Sequence, residues 1–261
     1  MSANIISAED EASSVRTLLF KRAEFFRRFE VHSFRSAARV LSGNKAEFNE
    51  LLDQLTAFSI KTEDIVAGGG NKSKIAMTMD TLLHPLGWRE TRIIGDLHIR
   101  LLTGDRPRAL DDADYDFRIP RFVDGHKIDF VKNRVAFDME WNSKDQTFDR
   151  DLYAMRTFHD CNIIRAGVLL TRSAALGPVF ADIQNRVTIP NFKSKYGAST
   201  TWMGKLIYRI NAGRAGGCPI LALGIKPAVI DDFEAWKTTH SVIRRTKFDI
   251  NAEEDEAIEP V

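Results

Sequence analysis

In the stretch FDMEWNSKDQTFDRDL, residues 137–152, Asp138 and Glu140 stand two apart inside an otherwise apolar run. Successive side chains of an extended chain alternate faces, so both carboxylates leave one face while Phe137, Met139 and Trp141 leave the other. A third acid, Asp129, lies in the short strand predicted over His126–Val131. Antiparallel pairing through a turn at Lys132-Asn133 would bring it into the same space. Three anions held together cost free energy unless a cation or a shared proton offsets it. Mg²⁺ suits such a cluster, because it takes one or two carboxylates, keeps several waters and completes its shell with phosphate oxygens. An ion held this way polarises a phosphodiester, lowers the pKa of a bound water to make the nucleophile, and stabilises the leaving 3′ oxygen. The plainer alternative is that Asp138 and Glu140 pair with Arg134, Lys144 or Arg150, or face solvent on a half-exposed strand.

The elements that would position these acids read as strand, turn, strand, helix, strand. The pattern predicts strands over His126–Val131 and Arg134–Trp141, and an amphipathic helix over Gln146–His159 with Phe148, Leu152, Met155 and Phe158 on one side. The near-continuous apolar run Ile163–Leu170 then reads as a strand covered on both faces. Such an order makes a right-handed crossover with parallel pairing the expected outcome. Asp149, Arg150 and Asp151 open the helix, where the N-terminal dipole and i,i+4 pairing account for them.

Upstream, residues 14–60 read as two or three helices. They carry Val15, Leu18, Leu19, Phe25, Phe26 and Phe29, then Phe34, Ala37, Ala38 and Leu41, then Phe48, Leu51, Leu52 and Leu55, with breaks near Val31 and at Ser42-Gly43-Asn44. Gly68-Gly69-Gly70-Asn71 reads as a connector, since it lacks the spacing of a phosphate-binding loop. A helix over Ile75–Leu83 follows, and Arg89–Leu102 reads as a strand or hairpin. The acid-rich Thr103–Pro120 reads as a solvated loop without the pattern of a calcium site.

Composition bounds the rest. The 261 residues, 44% of them hydrophobic, are enough for a substantial core, and 37 Lys and Arg against 36 Asp and Glu leave the partner open. Cys161 and Cys218 are far apart and show no metal-binding spacing, and His84, His98, His126 and His159 are lone, so a reduced, cytoplasmic setting is expected. No run is long enough to span a membrane. Between Arg186 and Arg245, ten Lys or Arg stand against three acids, a local surplus of seven. Lys193, Lys195, Lys205, Arg209 and Arg214, with Ser199 and Thr200 among them, are therefore candidates for DNA phosphate contacts. A basic solvated face is the alternative. Ser199–Asn211 is predicted helical and Pro219–Ile225 a buried strand, while the acidic tail, 246–261, reads as disordered.

The order Ile128-Asp129, eight residues, Asp138-Met139-Glu140, helix, buried strand resembles the PD-(D/E)xK nuclease fold, and within it the Bgl II and BamHI branch of type II restriction endonucleases. Most of that fold has Lys at the third position; Glu140 matches the BamHI variant. Pro-Leu-Gly-Trp at 85–88 and the segments YGASTTW and GRAGGCPILALGI add to the likeness, which covers roughly residues 65–230. The resemblance implies Asp129 and Asp138 as metal ligands, with the Met139 backbone carbonyl as a third and Glu90 as an auxiliary group. Glu140 would orient or deprotonate the attacking water. Asp129, Glu140 and Asn142 form a rival register, and Lys144 is assigned a structural or DNA-backbone role.

The expected protein is an α/β, restriction-endonuclease-like chain with a mixed central sheet flanked by helices. Residues 1–64 would form a helical N-terminal portion packed on the core, and 65–245 the nuclease core with its DNA-recognition elements. By resemblance it would be a Mg²⁺-dependent, sequence-specific endonuclease acting on double-stranded DNA as a homodimer, with a companion DNA methyltransferase. The alternatives are a repair or junction nuclease and a catalytically silent DNA-binding protein.

Overall fold

The computed structural model describes residues 9–19, 22–67, 73–104, 109–188 and 192–243. The glycine loop at 68–71, Asp105 and the tail at 246–261 lie outside them. One mixed sheet of six strands organises these residues, in the order β1-β6-β5-β4-β3-β2. The strands are β1 (Phe29–Phe34), β2 (Arg89–Leu101), β3 (Tyr115–Lys132), β4 (Val135–Glu140), β5 (Ala166–Arg172) and β6 (Ile220–Ile225). β4, β5 and β6 run parallel, and the outer pairings are antiparallel. The central strands are buried along almost their whole length, which is why their sequences are apolar runs rather than alternations.

Helices cover both faces. α1 (Ala12–Leu18), α2 (Ala23–Arg28), α3 (Ala37–Ser42), α4 (Lys45–Ala57), α5 (Thr62–Val66) and α6 (Lys74–Leu83) precede β2. Their Phe25, Leu41, Leu51, Leu55 and Leu83 pack in one core with Phe137, Val168, Leu170, Leu221 and Leu223 of the sheet. Between β4 and β5 lies α7 (Thr147–Asp160); between β5 and β6 lie α8 (Gly177–Gln184), α9 (Phe192–Lys195) and α10 (Met203–Asn211), and α11 (Phe233–Thr239) follows. Phe148, Leu152 and Met155 of α7, with Leu206 and Ile210 of α10, form the second core against Ala136, Leu169, Ile220 and Ala222. Gly167 admits this packing: a Cβ there would meet Met155 Sδ at 2.3 Å.

Two stretches depart from the sequence reading. Phe29–Phe34, expected to be helical around a break at Val31, is an edge strand paired antiparallel to β6. Phe25, Phe26 and Phe29 keep helical spacing, but the next residues alternate: Glu30 and His32 leave one face and bond to each other at 2.8 Å. The acid-rich stretch expected to be a loop up to Pro120 enters β3 at Tyr115, so β2 and β3 form a long ribbon beyond the sheet. Its acids are neutralised within it: Asp116 meets His98 at 2.6 Å and Arg100 at 3.0 Å, and Asp124 pairs with Arg92 and Arg121.

Candidate active site

The β3–β4 hairpin sets the geometry of the acids. Its turn is Asn133-Arg134, one residue later than the sequence suggested, with both residues at positive φ, 42° and 72°. Positive φ at both central positions matches the right-handed twist of the flanking strands. α4 holds the turn in place, since Asn44 Nδ2 donates to the Asn133 carbonyl at 2.9 Å and Asn133 Nδ2 donates to Glu47 at 2.7 Å. The β3–β4 ladder runs only from Phe130 to Lys132 on the β3 side. Just before it, β3 carries a bulge: its partners jump from Val131 to Ile128 while β2 advances from Arg89 to Thr91. Bulges of this kind re-aim side chains and interrupt pairing. Asp129 sits in it, and its backbone N–H donates to Asp138 Oδ1 at 2.7 Å.

Asp129, Asp138 and Glu140 line one cleft of about 170 Å³, together with Gly125, Lys127, Arg150 and Asp151. Asp138 forms its floor, 4% exposed, and Glu140 is 9% exposed, whereas Asp129 stands at the exposed mouth. The structure brings together the first register; Asn142 lies past the end of β4 and does not line the cleft. Met139 lies between the two acids in the strand, and its side chain packs against the core on the other face. Glu90 is on the ribbon surface, bonded to Lys127 at 2.8 Å, and is not part of the lining. Lys144 is exposed, while its backbone bridges to Thr200.

Helix-dipole stabilisation does not account for the placement of Asp151. It lies in the second turn of α7, 3% exposed, on the stripe formed by Phe148, Leu152 and Met155. The signal was in the sequence: an acid three residues after Phe148 and four before Met155 falls on the buried face. Arg150 donates to Asp151 Oδ1 through Nε at 3.0 Å and Nη2 at 2.9 Å, and Nη2 also approaches Glu140 at 3.4 Å.

The electrostatics are those of crowded, desolvated anions. Burial, then the neighbouring Asp129 and Asp151, hold Asp138 well above the usual carboxylate range, and the Asp129 N–H only partly opposes this. Burial, then Glu140, pushes Asp151 up to about 8 despite the Arg150 guanidinium. Among the described residues no three His, Cys, Asp or Glu side chains are grouped so as to hold a metal ion between them. The set nevertheless fits a hard divalent ion, because it offers carboxylate oxygens in excess of cations and needs only one or two of them per Mg²⁺.

The basic candidates are largely engaged inside the protein. Lys195 caps the end of α5, donating to the carbonyls of Ile65 at 3.1 Å and of Ala67. Thr200 is 5% exposed and accepts from the buried Arg172 at 2.5 Å. Arg209 pairs with Asp149 at 2.9 Å and Asp145 at 3.4 Å, Lys205 with Asp145 at 3.2 Å, and Arg214 with Asp149 at 3.4 Å. These acids, at the start of α7, offset part of the surplus charge counted in sequence. Ser199 is exposed, and Lys193 lies in α9.

A mixed sheet of six strands flanked by helices is consistent with the restriction-endonuclease-like class of fold. The family model described as "Restriction endonuclease BglII/BglIII" matches residues 29–225, and the chain belongs to that family. No curated protein matches it significantly. Membership makes it a type II restriction endonuclease that cleaves DNA, in a family whose enzymes use divalent metal ions. The match runs from the start of β1 to the end of β6. No helix among the described residues is long and apolar enough to cross a membrane.

Proposed function

We propose that the protein is a Mg²⁺-dependent endonuclease that cuts double-stranded DNA at a specific short sequence. One observation carries the metal dependence: four carboxylates share a cleft whose lining holds two cations, Lys127 and Arg150, and Lys127 is already bonded to Glu90. Asp129 and Asp138, with the Met139 carbonyl, would hold the ion, which supplies a polarised phosphate and an acidified water when bound. Asp129 presents its carboxylate at the open mouth, where a phosphate can enter. The Asp129 N–H fixes the Asp138 carboxylate, so that side chain is oriented before any ion arrives. Glu140, beside both, would orient the attacking water or take its proton. Phosphate contacts are assigned to Lys193, Ser199, Lys205 and Arg214; the side chains of the last two are 38% and 63% exposed.

A homodimer acting on a palindrome fits this activity, since two-fold protein symmetry matches two-fold DNA symmetry. The β2–β3 ribbon supports it. Leu97, Ile99 and Leu101 lie opposite Ile119, Phe117 and Tyr115 on one face of the ribbon. Tyr115 is 65% exposed and Phe117 45%. Arg92, Arg100, Arg121 and Lys127 of the ribbon are each paired with an acid of the ribbon, so this apolar face suits a second copy better than DNA. A companion methyltransferase protecting the same sequence belongs to this reading. Digestion of a long phage DNA with the protein and Mg²⁺ tests it. Discrete, reproducible fragments are expected; nicks at junctions or gaps would instead indicate repair, and intact DNA would indicate a silent binder.

A further inference from the structure

The cleft contains a buried carboxylate oxygen that no donor satisfies. Asp151 Oδ1 is occupied by two Arg150 donors, at 3.0 and 2.9 Å, but Oδ2 is buried and has no hydrogen-bond partner. A buried carboxylate oxygen without a donor costs free energy, and such a cost persists where a ligand recovers it. Asp151 lines the cleft with Glu140, and Arg150 touches both side chains. α7 fixes the position rigidly, because the same turn buries Phe148 and Leu152 at 0% exposure. Helix-end stabilisation does not require this burial, since Asp149 already supplies the acid of the first turn. We infer that Asp151 is a cation-binding carboxylate of this cleft, its Oδ2 joining Glu140 as ligand to a divalent ion on the α7 side. Two carboxylates suffice for such an ion when water and phosphate complete the shell. Arg150 keeps Oδ1 in place, so Oδ2 is the oxygen of this cleft-lining residue left without a donor. The inference rests on the metal-dependent reading above and extends its ligand set from the hairpin to the helix.

Mn²⁺ titration by calorimetry, with melting curves in the absence of metal, separates the possibilities for the parent, Asp129→Asn and Asp151→Asn. The parent is expected to bind Mn²⁺, and Asp151→Asn to bind it about tenfold more weakly or worse. Without metal and above about pH 8, where Asp151 is ionised, Asp151→Asn should melt at or above the parent temperature, because a buried, underpaired charge has been removed. Parent-like Mn²⁺ binding by Asp151→Asn, alongside weakened binding by Asp129→Asn, would overturn the assignment while leaving the wider reading intact. Absence of Mn²⁺ binding by the parent would instead remove the metal-dependent reading itself. A variant that melts far below the parent, or cannot fold, would mark Asp151 as structural and also overturn the inference. Arg150→Gln, at a side chain 68% exposed, provides the second check. Removing the competing guanidinium should tighten Mn²⁺ binding, and unchanged or weaker binding counts against the inference.

Discussion

At the scale of single residues, the cleft is a group of acids held closer than their charges favour. Alanine at Asp129, Asp138 or Glu140 is expected to reduce DNA cleavage by about a hundredfold or more, whereas Asn142→Ala should cut like the parent; initial rates on a cognate fragment give the comparison. The same crowding has a consequence for stability. Asp138 and Asp151 are both raised above the ordinary carboxylate range, Asp151 to about 8. An acid whose folded pKa exceeds its unfolded value stabilises the fold at low pH, and that contribution is lost as pH rises through the folded pKa. The metal-free protein should therefore lose melting temperature from about pH 4 towards and through pH 8, and Mg²⁺ should restore it most at the alkaline end. A flat profile, with no effect of Mg²⁺, would contradict the crowding. Three of the four acids were legible in sequence because strand alternation is a local rule. Asp151 carried a weaker signal, its spacing from Phe148 and Met155, which competes with the sufficient local explanation of an acid near a helix start; the depth of α7 against the sheet decides between them.

At the scale of elements, the site depends on two departures from regular structure. The β2–β3 ladder is bulged at Asp129, the β3–β4 ladder reaches only to Phe130, and the Asp129 amide beside it fixes Asp138. The contact between α7 and β5 closes on Gly167, where any side chain meets Met155. Gly167→Val is expected to destabilise the protein by about 1–3 kcal/mol, with part of the loss recovered in the double variant with Met155→Ala; denaturant titration measures both. Strand–helix–strand order around the site was readable from the change of hydrophobic period at residues 135–170. β1 was not, because six residues following a Phe-rich helical stripe carry too short an alternation to outweigh it. Its strand identity comes from pairing with β6, almost two hundred residues away in the chain. The basic surplus was visible as a count, but its partners were not: Asp145 and Asp149 meet Lys205, Arg209 and Arg214 only once α7 and α10 pack together.

At the scale of the whole molecule, a sheet buried on both faces supports an open cleft near one end and a ribbon extending from one edge. A two-stranded ribbon is marginal alone, so its exposed apolar face calls for cover. The double variant Tyr115→Asp, Phe117→Asp is expected to sediment as a monomer where the parent sediments as a dimer, with the fold of the core retained. A parent that sediments as a monomer would remove the two-fold part of the account. The central claim is that a divalent ion bound by the hairpin acids drives DNA cleavage. Its most direct test is the Mg²⁺-dependent cleavage of long DNA by the parent and by Asp138→Asn, which keeps the oxygen that accepts from the Asp129 amide. Discrete fragments from the parent only in Mg²⁺, and almost none from Asp138→Asn, are expected. Parent-like cleavage by Asp138→Asn, or cleavage by the parent in a chelator, would contradict it.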